Sequence, residues 1–205
     1  MNLQHLVLRN RSYRRYDERL CVDKNQLLSW VDLARNTPSA RNLQPLKFFI
    51  STEPETNQII FNNISWAGYL ENGRPVQGER PTAYIVLCND MDIAPQSQYD
   101  QGIVAQTILL AAVSESLGGC MFTSVKKEEM RTQLDLSKNL EPQMVIAIGK
   151  PIEDVVITDV QNNDIKYYRD EKRTHFVPKR SLEEIIINAK KNMKFSNIKY
   201  SENGE

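Results

Sequence analysis

The chain has 205 residues, 26 basic against 26 acidic side chains, 40% hydrophobic residues and three cysteines. A formal net charge of zero excludes the long-range positive field of a general nucleic-acid or anionic-membrane binder, so any basic site must be local. The mean hydropathy of -0.49, with no apolar run near ~18 residues and no charged region ahead of an apolar one at Met1–His5, argues against a membrane partner and for a cytoplasmic protein.

Cys21, Cys88 and Cys120 are odd in number, widely spaced and form no C-x-x-C, which points to reduced thiols rather than a disulfide framework or a zinc knuckle. His5 and His175 are too few and too distant in sequence to suggest a metal site, so no metal is expected. With no internal repeat and no shift in composition, the length fits one domain over 1–194 and a polar tail over 195–205.

In chain order, Leu3, Leu6 and Val7 predict a short amphipathic helix running into the basic segment Arg9-Asn10-Arg11-Ser12-Tyr13-Arg14-Arg15. Asp23 with Gln26 forms a capping box for a second helix carrying Leu27, Val31 and Ala34. The loop Pro38-Ser39-Ala40-Arg41-Asn42-Leu43-Gln44-Pro45 then leads into a strand over 47–51. Thr52-Glu53-Pro54-Glu55 reads as another capping box, opening a helix with Ile59, Ile60 and Phe61.

The stretch 63–81 is irregular and long enough to suggest a lid or a substrate wall, with Trp66 and Tyr69 as stacking or core residues. Ala83–Cys88 is continuously apolar, as a strand buried on both faces would be. The helix between Tyr99 and Leu117 has almost no polar face, so a partner subunit is expected to cover part of it. Gly118-Gly119 predicts its left-handed C-cap, followed by a strand from Cys120, a helix over 126–134 and a strand over 144–148. Ser181-Leu182-Glu183-Glu184 caps a last helix extending to Ala189.

Four spots carry candidate chemistry. Arg11 and Arg14 beside Ser12 offer forked donors and a hydroxyl suited to a phosphate, or else form a solvated helix end. Lys179 and Arg180, just before the capped helix, are a second cationic spot or a polar loop. Ser39, Asn42 and Gln44 present hydroxyl and carboxamide groups on a loop whose small residues admit a flat ligand, or make a simple turn. Gly118 and Gly119 could let a ring system approach the backbone. The chain has no G-x-S-x-G, P-loop or G-x-G-x-x-G, which counts against a hydrolase, a Walker site and a dinucleotide-binding Rossmann site.

Together these segments resemble the FMN-dependent nitroreductase family. Asn10–Tyr16 is similar to its R-R-S-x-R-x-[FY] pattern, and Pro38–Leu46 to its P-S-A-x-N-x-Q-P-W loop. Asp100–Gln106 is similar to D-x-G-x-A-x-Q, Leu117-Gly118-Gly119 to L-G-G, and Ile148–Pro151 to I-G-x-P. Asn10 stands where the family has arginine, and Leu46 where it has tryptophan.

The resemblance implies an α+β fold, a mixed sheet flanked by helices in a domain-swapped homodimer, with FMN at the subunit interface. It implies that Arg11, Ser12 and Arg14 hold the phosphate and pyrimidine edge, while Pro38, Ser39, Ala40, Asn42 and Gln44 come from the other subunit. Gly118 and Gly119 would lie against the ring, and Lys179 or Arg180 would complete the phosphate site. The implied reaction is ping-pong: NAD(P)H delivers a hydride to flavin N5, and a nitroaromatic, quinone or similar small acceptor then takes the electrons without a dedicated side-chain acid or base. A flavin-binding sensor or storage protein without turnover is the alternative from another class.

Overall fold

The computed structural model describes residues 2–97 and 99–188. The expected tail over 195–205 and the helical position of Ala189 lie outside the described residues.

β2 (Ala83–Asp90) is buried at every position and occupies the interior of a four-stranded sheet, as its unbroken apolar run predicts. β1 (Leu46–Ser51) lies on one side of it and β4 (Leu140–Gly149) on the other, with β3 (Gly118–Phe122) outside β4. All three pairings are antiparallel. Alternation along β2 sends Ile85 and Leu87 to one face, where they meet Leu27, Trp30 and Ala34 of α2 (Lys24–Ala34) and Val104, Ala105, Ile108 and Ala112 of α4 (Asp100–Ser114). Tyr84, Val86 and Cys88 face the opposite side, against Ile60 and Phe61 of α3 (Pro54–Asn62) and Met130 of α5 (Lys127–Gln133). Layers of helices on both faces of the sheet make this an α+β fold.

The cap at Asp23 forms as expected, with Gln26 reciprocating. Trp30 and Gln26 then donate to Glu115 at 2.7 and 2.6 Å, tying α2 to the end of α4. The cap expected at Thr52 does not form: Glu53 is the N-cap without a side-chain bond, and Pro54, which lacks the N–H that would need one, opens α3.

The glycine pair is also not a helix cap. α4 ends at Ser114, and Ser116 takes the left-handed conformation at φ 62°. Its N–H returns to the Val113 carbonyl at 3.0 Å and that of Leu117 to Ala112 at 2.9 Å, which completes a Schellman motif before the glycines are reached. Gly118 and Gly119 are instead the first residues of β3.

Strand and helix do not alternate to the end of the chain. Residues beyond β4 build a second sheet, in which β7 (His175–Lys179) runs between β5 (Val155–Asp159) and β6 (Tyr168–Arg169). The β5–β7 pairing is parallel. The last helix, α6 (Leu182–Ile185), is capped by Ser181 as expected but stops at Ile186, whose backbone is extended. Trp66 belongs to the core, with its ring 4.5 Å from that of Phe122.

Candidate cofactor site

The basic segment follows α1 (Leu3–Arg9) and is held as an extended strap against the open edge of the sheet. Asn10, at the position where the resemblance expects arginine, caps α1 and donates from its carboxamide to Gln106 of α4 at 3.2 Å. Ser12 bridges to Gly119 in parallel, and the Tyr13 N–H donates to the Gly119 carbonyl at 3.1 Å. Further on, Ile152 N donates to Arg15 O and Asp17 N to Lys150 O, at 3.1 and 2.8 Å.

The close approach of this strap explains Gly118, and the packing of β3 on β4 and α4 explains Gly119. A Cβ on Gly118 would lie 2.6 Å from the Tyr13 ring, and one on Gly119 would strike the Ala147 carbonyl and come within 2.7 Å of a Leu109 methyl. The chain's own atoms therefore fill the space beside the glycines: Gly118 lets the arginine strap reach β3, and Gly119 lets β3 pack on β4 and α4.

Arg11 and Arg14 are half-buried and Ser12 is exposed between them. Arg11 donates to Val7 O at 2.7 Å and Arg14 to Ser12 O at 3.2 Å, yet the Nε of each is buried without a partner. Burial lowers the Arg11 pKa from its usual value, although a guanidinium so far above neutrality stays charged. Two cationic forks with unanswered donors around an exposed hydroxyl suit a bound anion or a carbonyl edge.

The Pro38–Gln44 loop lies elsewhere on the subunit. Ser39 Oγ donates to Asp100 at 2.6 Å and Ala40 N to the same carboxylate at 3.1 Å, fixing the loop at the start of α4. Gln44 N donates to Ser39 Oγ at 2.9 Å, and its carboxamide to Asn42 at 3.1 Å. Arg41, Asn42 and Gln44 all have positive φ, at 55°, 57° and 52°. Three such departures in non-glycine residues within four positions mark a backbone held in a costly shape by its contacts. Pro38, Ser39 and Gln44 line a cleft with Leu46, Phe48 and Val104, and neither Arg11, Ser12 nor Arg14 contributes to it. Asp100 and Gln106 are six residues apart, about 9 Å along the α4 axis, so the two clusters flank one helix without merging.

Lys179 ends β7 opposite Asp159, and Arg180 pairs with Glu184. Both are exposed. Sequence reasoning missed the groups that brace Arg14. Glu153 accepts its backbone N–H, Tyr167 lies 4.9 Å beneath its guanidinium, and Arg169 shares Glu153 at 2.7 Å. His175 is fully buried behind them, with neither ring nitrogen hydrogen-bonded. Desolvation, aided by the Arg14 and Arg169 cations, pushes its pKa down to about 4. Their positions, 153 to 175, follow no spacing that joins them in sequence to Arg14. Among the described residues, no group of three His, Cys, Asp or Glu side chains could hold a metal ion, and no helix is long and apolar enough to cross a membrane.

The nitroreductase family model matches residues 7–150, which includes the arginine strap, the Pro38–Gln44 loop, α4 and the whole four-stranded sheet. The chain belongs to the nitroreductase family. A curated relative, "Putative NAD(P)H nitroreductase YodC" of Bacillus subtilis (strain 168), is 27% identical over 173 residues, 69% of this chain and 86% of that protein. A nitroreductase family protein from Clostridium difficile 630 superposes with a TM-score of 0.60 at 22% identity, covering 74% of this chain and 86% of that one. A protein from Exiguobacterium sibiricum 255-15, solved in complex with FMN, superposes with a TM-score of 0.63 at 18% identity, covering 74% and 89%. Membership assigns the chain to a family of oxidoreductases and confirms the expected nitroreductase-like α+β fold, although the sheet between the helices is antiparallel throughout rather than mixed.

Proposed function

We propose that the chain is an FMN-dependent oxidoreductase that takes a hydride from NAD(P)H and passes electrons to a nitroaromatic, quinone or similar small acceptor in a ping-pong cycle. The observation that carries this reading is the pair of buried, unpartnered Nε donors on Arg11 and Arg14, held on either side of exposed Ser12 by the strap on β3. FMN would fit there as the anionic, planar group these donors lack, and when bound it supplies the hydride-accepting ring. The FMN complex of the Exiguobacterium protein adds support from the fold.

In this reading Arg11 neutralises phosphate charge, Ser12 and Arg14 bond the pyrimidine edge, and Arg14 favours the reduced ring by offsetting its added negative charge. Gly118 acts by letting the strap sit close to β3, and Gly119 by letting β3 pack closely on β4 and α4. Lys179 and Arg180 are the reserve of exposed cations for the phosphate. Pro38, Ser39, Ala40, Asn42 and Gln44 form the opposing wall, contributed by a second subunit, because within one chain they stand along α4 from the arginines. A homodimer is further supported by apolar exposure on α1 and α4: Leu3, Val7, Leu8 and Ile103 face solvent in the single chain. No side chain is assigned as a proton donor.

An absorption spectrum of the purified protein with FMN tests the cofactor, and anaerobic addition of NADH or NADPH tests turnover. The expected result is a yellow protein that bleaches and regains colour with a nitroaromatic or quinone, with parallel double-reciprocal plots. A yellow protein that neither nucleotide bleaches supports flavin binding without catalysis. A colourless protein whose melting temperature is indifferent to FMN overturns the proposal.

A further inference from the structure

The second sheet lies beyond the 7–150 span matched by the family model, yet it closes directly on the arginine strap. Glu153 is buried and accepts from the Arg14 backbone N–H and, at 2.7 Å, from Arg169. The Tyr167 ring carries the Arg14 guanidinium on its face at 4.9 Å. That ring is itself wedged, with its centroid 5.3 Å from His175 and 5.0 Å from Tyr69, while its hydroxyl accepts from Tyr69 N at 3.4 Å. Arg14 is therefore fixed at its backbone by a carboxylate and at its head by an aromatic face, and its Nε still has no partner.

We propose that Tyr167 is a positioning residue that holds the Arg14 guanidinium in a fixed, partly dehydrated place from which it favours two-electron-reduced flavin over oxidised flavin. This rests on the flavin reading given above. Held on an aromatic face at a half-buried site, a guanidinium acts through an effective dielectric near ~20; released into water, it acts through ~80 and samples many positions. The ring quadrupole offsets a little of the charge, but the gain from fixing and dehydrating it is larger. Because the contact is to the ring face, phenylalanine replaces tyrosine in this role and leucine does not.

The test is the flavin midpoint potential of the FMN-loaded protein, together with FMN affinity in the oxidised state, for wild type, Tyr167→Phe and Tyr167→Leu. The expected result is that Tyr167→Leu lowers the preference for reduced over oxidised flavin by about threefold to tenfold. Tenfold is about 30 mV toward negative potential for a two-electron couple. Tyr167→Phe stays at the wild-type value, and Tyr167→Leu has no further effect in an Arg14→Gln background saturated with FMN. An equal shift in Phe and Leu variants, a shift that persists without Arg14, or no shift at all overturns the proposal. Wild-type protein that binds no FMN fails before any variant is made and overturns the flavin reading along with this one; wild type that binds FMN beside an unresponsive Leu variant overturns only this one.

Discussion

At the arginine strap the chain buries cationic donors and leaves the Nε of Arg11, Arg14 and Arg15 unanswered, whereas at the Pro38–Gln44 loop the polar groups are answered from within. Ser39 and Ala40 bond Asp100, and Gln44 bonds Ser39 and Asn42, so that loop is a finished shape. The strap is a charged shape awaiting a counterpart. A finished wall needs only to be brought near a ligand, while a site with unanswered donors gains free energy when the ligand arrives. Substitutions in the strap should therefore register in ligand affinity, and those in the loop and in the packing behind the strap should register in stability.

The largest expected effect is at Gly119. Gly119→Ala forces a methyl into the Ala147 carbonyl, which as backbone of β4 cannot turn aside, and should cost roughly 3 kcal/mol or more in urea unfolding. A variant as stable as wild type would show that β3 is not packed this closely on β4 and α4 at Gly119.

Next is the pH dependence from His175. Its folded pKa of about 4 lies below the unfolded value of roughly 6.5, so the unfolded chain binds more protons between them and stability rises with pH across that window. The contribution is complete above pH ~6.5, is lost as pH falls through about 4, and amounts to at most about 3 kcal/mol. His175→Gln should flatten the slope of unfolding free energy between pH 4 and 6.5.

Arg11→Ala should weaken FMN binding by about tenfold to a hundredfold, the worth of one charge-assisted contact, with little change in melting temperature. Flavin fluorescence titration reads it, and unchanged affinity would place the anion elsewhere. The smallest effect belongs to Ser39→Ala, expected to cost about 1 kcal/mol of stability because Asp100 retains the Ala40 N–H. If that variant instead lost flavin affinity before stability, the loop would be a binding element rather than a wall.

What could be read from the sequence follows from where each element finds its stabilisation. β2 and α4 are apolar almost throughout, so their burial is written in their own residues. The strands of the second sheet are not like that. β7 reads His-Phe-Val-Pro-Lys, and Pro178 argues against an interior strand. It is tolerated because β6 pairs only with Phe176 and His175, so β7 has a single neighbour at Pro178. That sheet is held by Glu153 and Tyr167 reaching Arg14, 139 and 153 positions earlier, which no local window contains. In the site, the strap and loop motifs were legible, and the α4 cap was not, because Ser116 takes a conformation that Gly118 seemed better suited to supply. The bracing of Arg14 left no sequence signal.

The seam joining Arg15 and Asp17 to Ile152 and Lys150 has a consequence for biosynthesis. Arg15 and Asp17 find these backbone partners only once Lys150 and Ile152, more than 130 positions later, have been made. A nascent or truncated product ending before Lys150 would lack the seam and the anchor at Glu153, so a group held at the strap as proposed above would load only after those residues have been made.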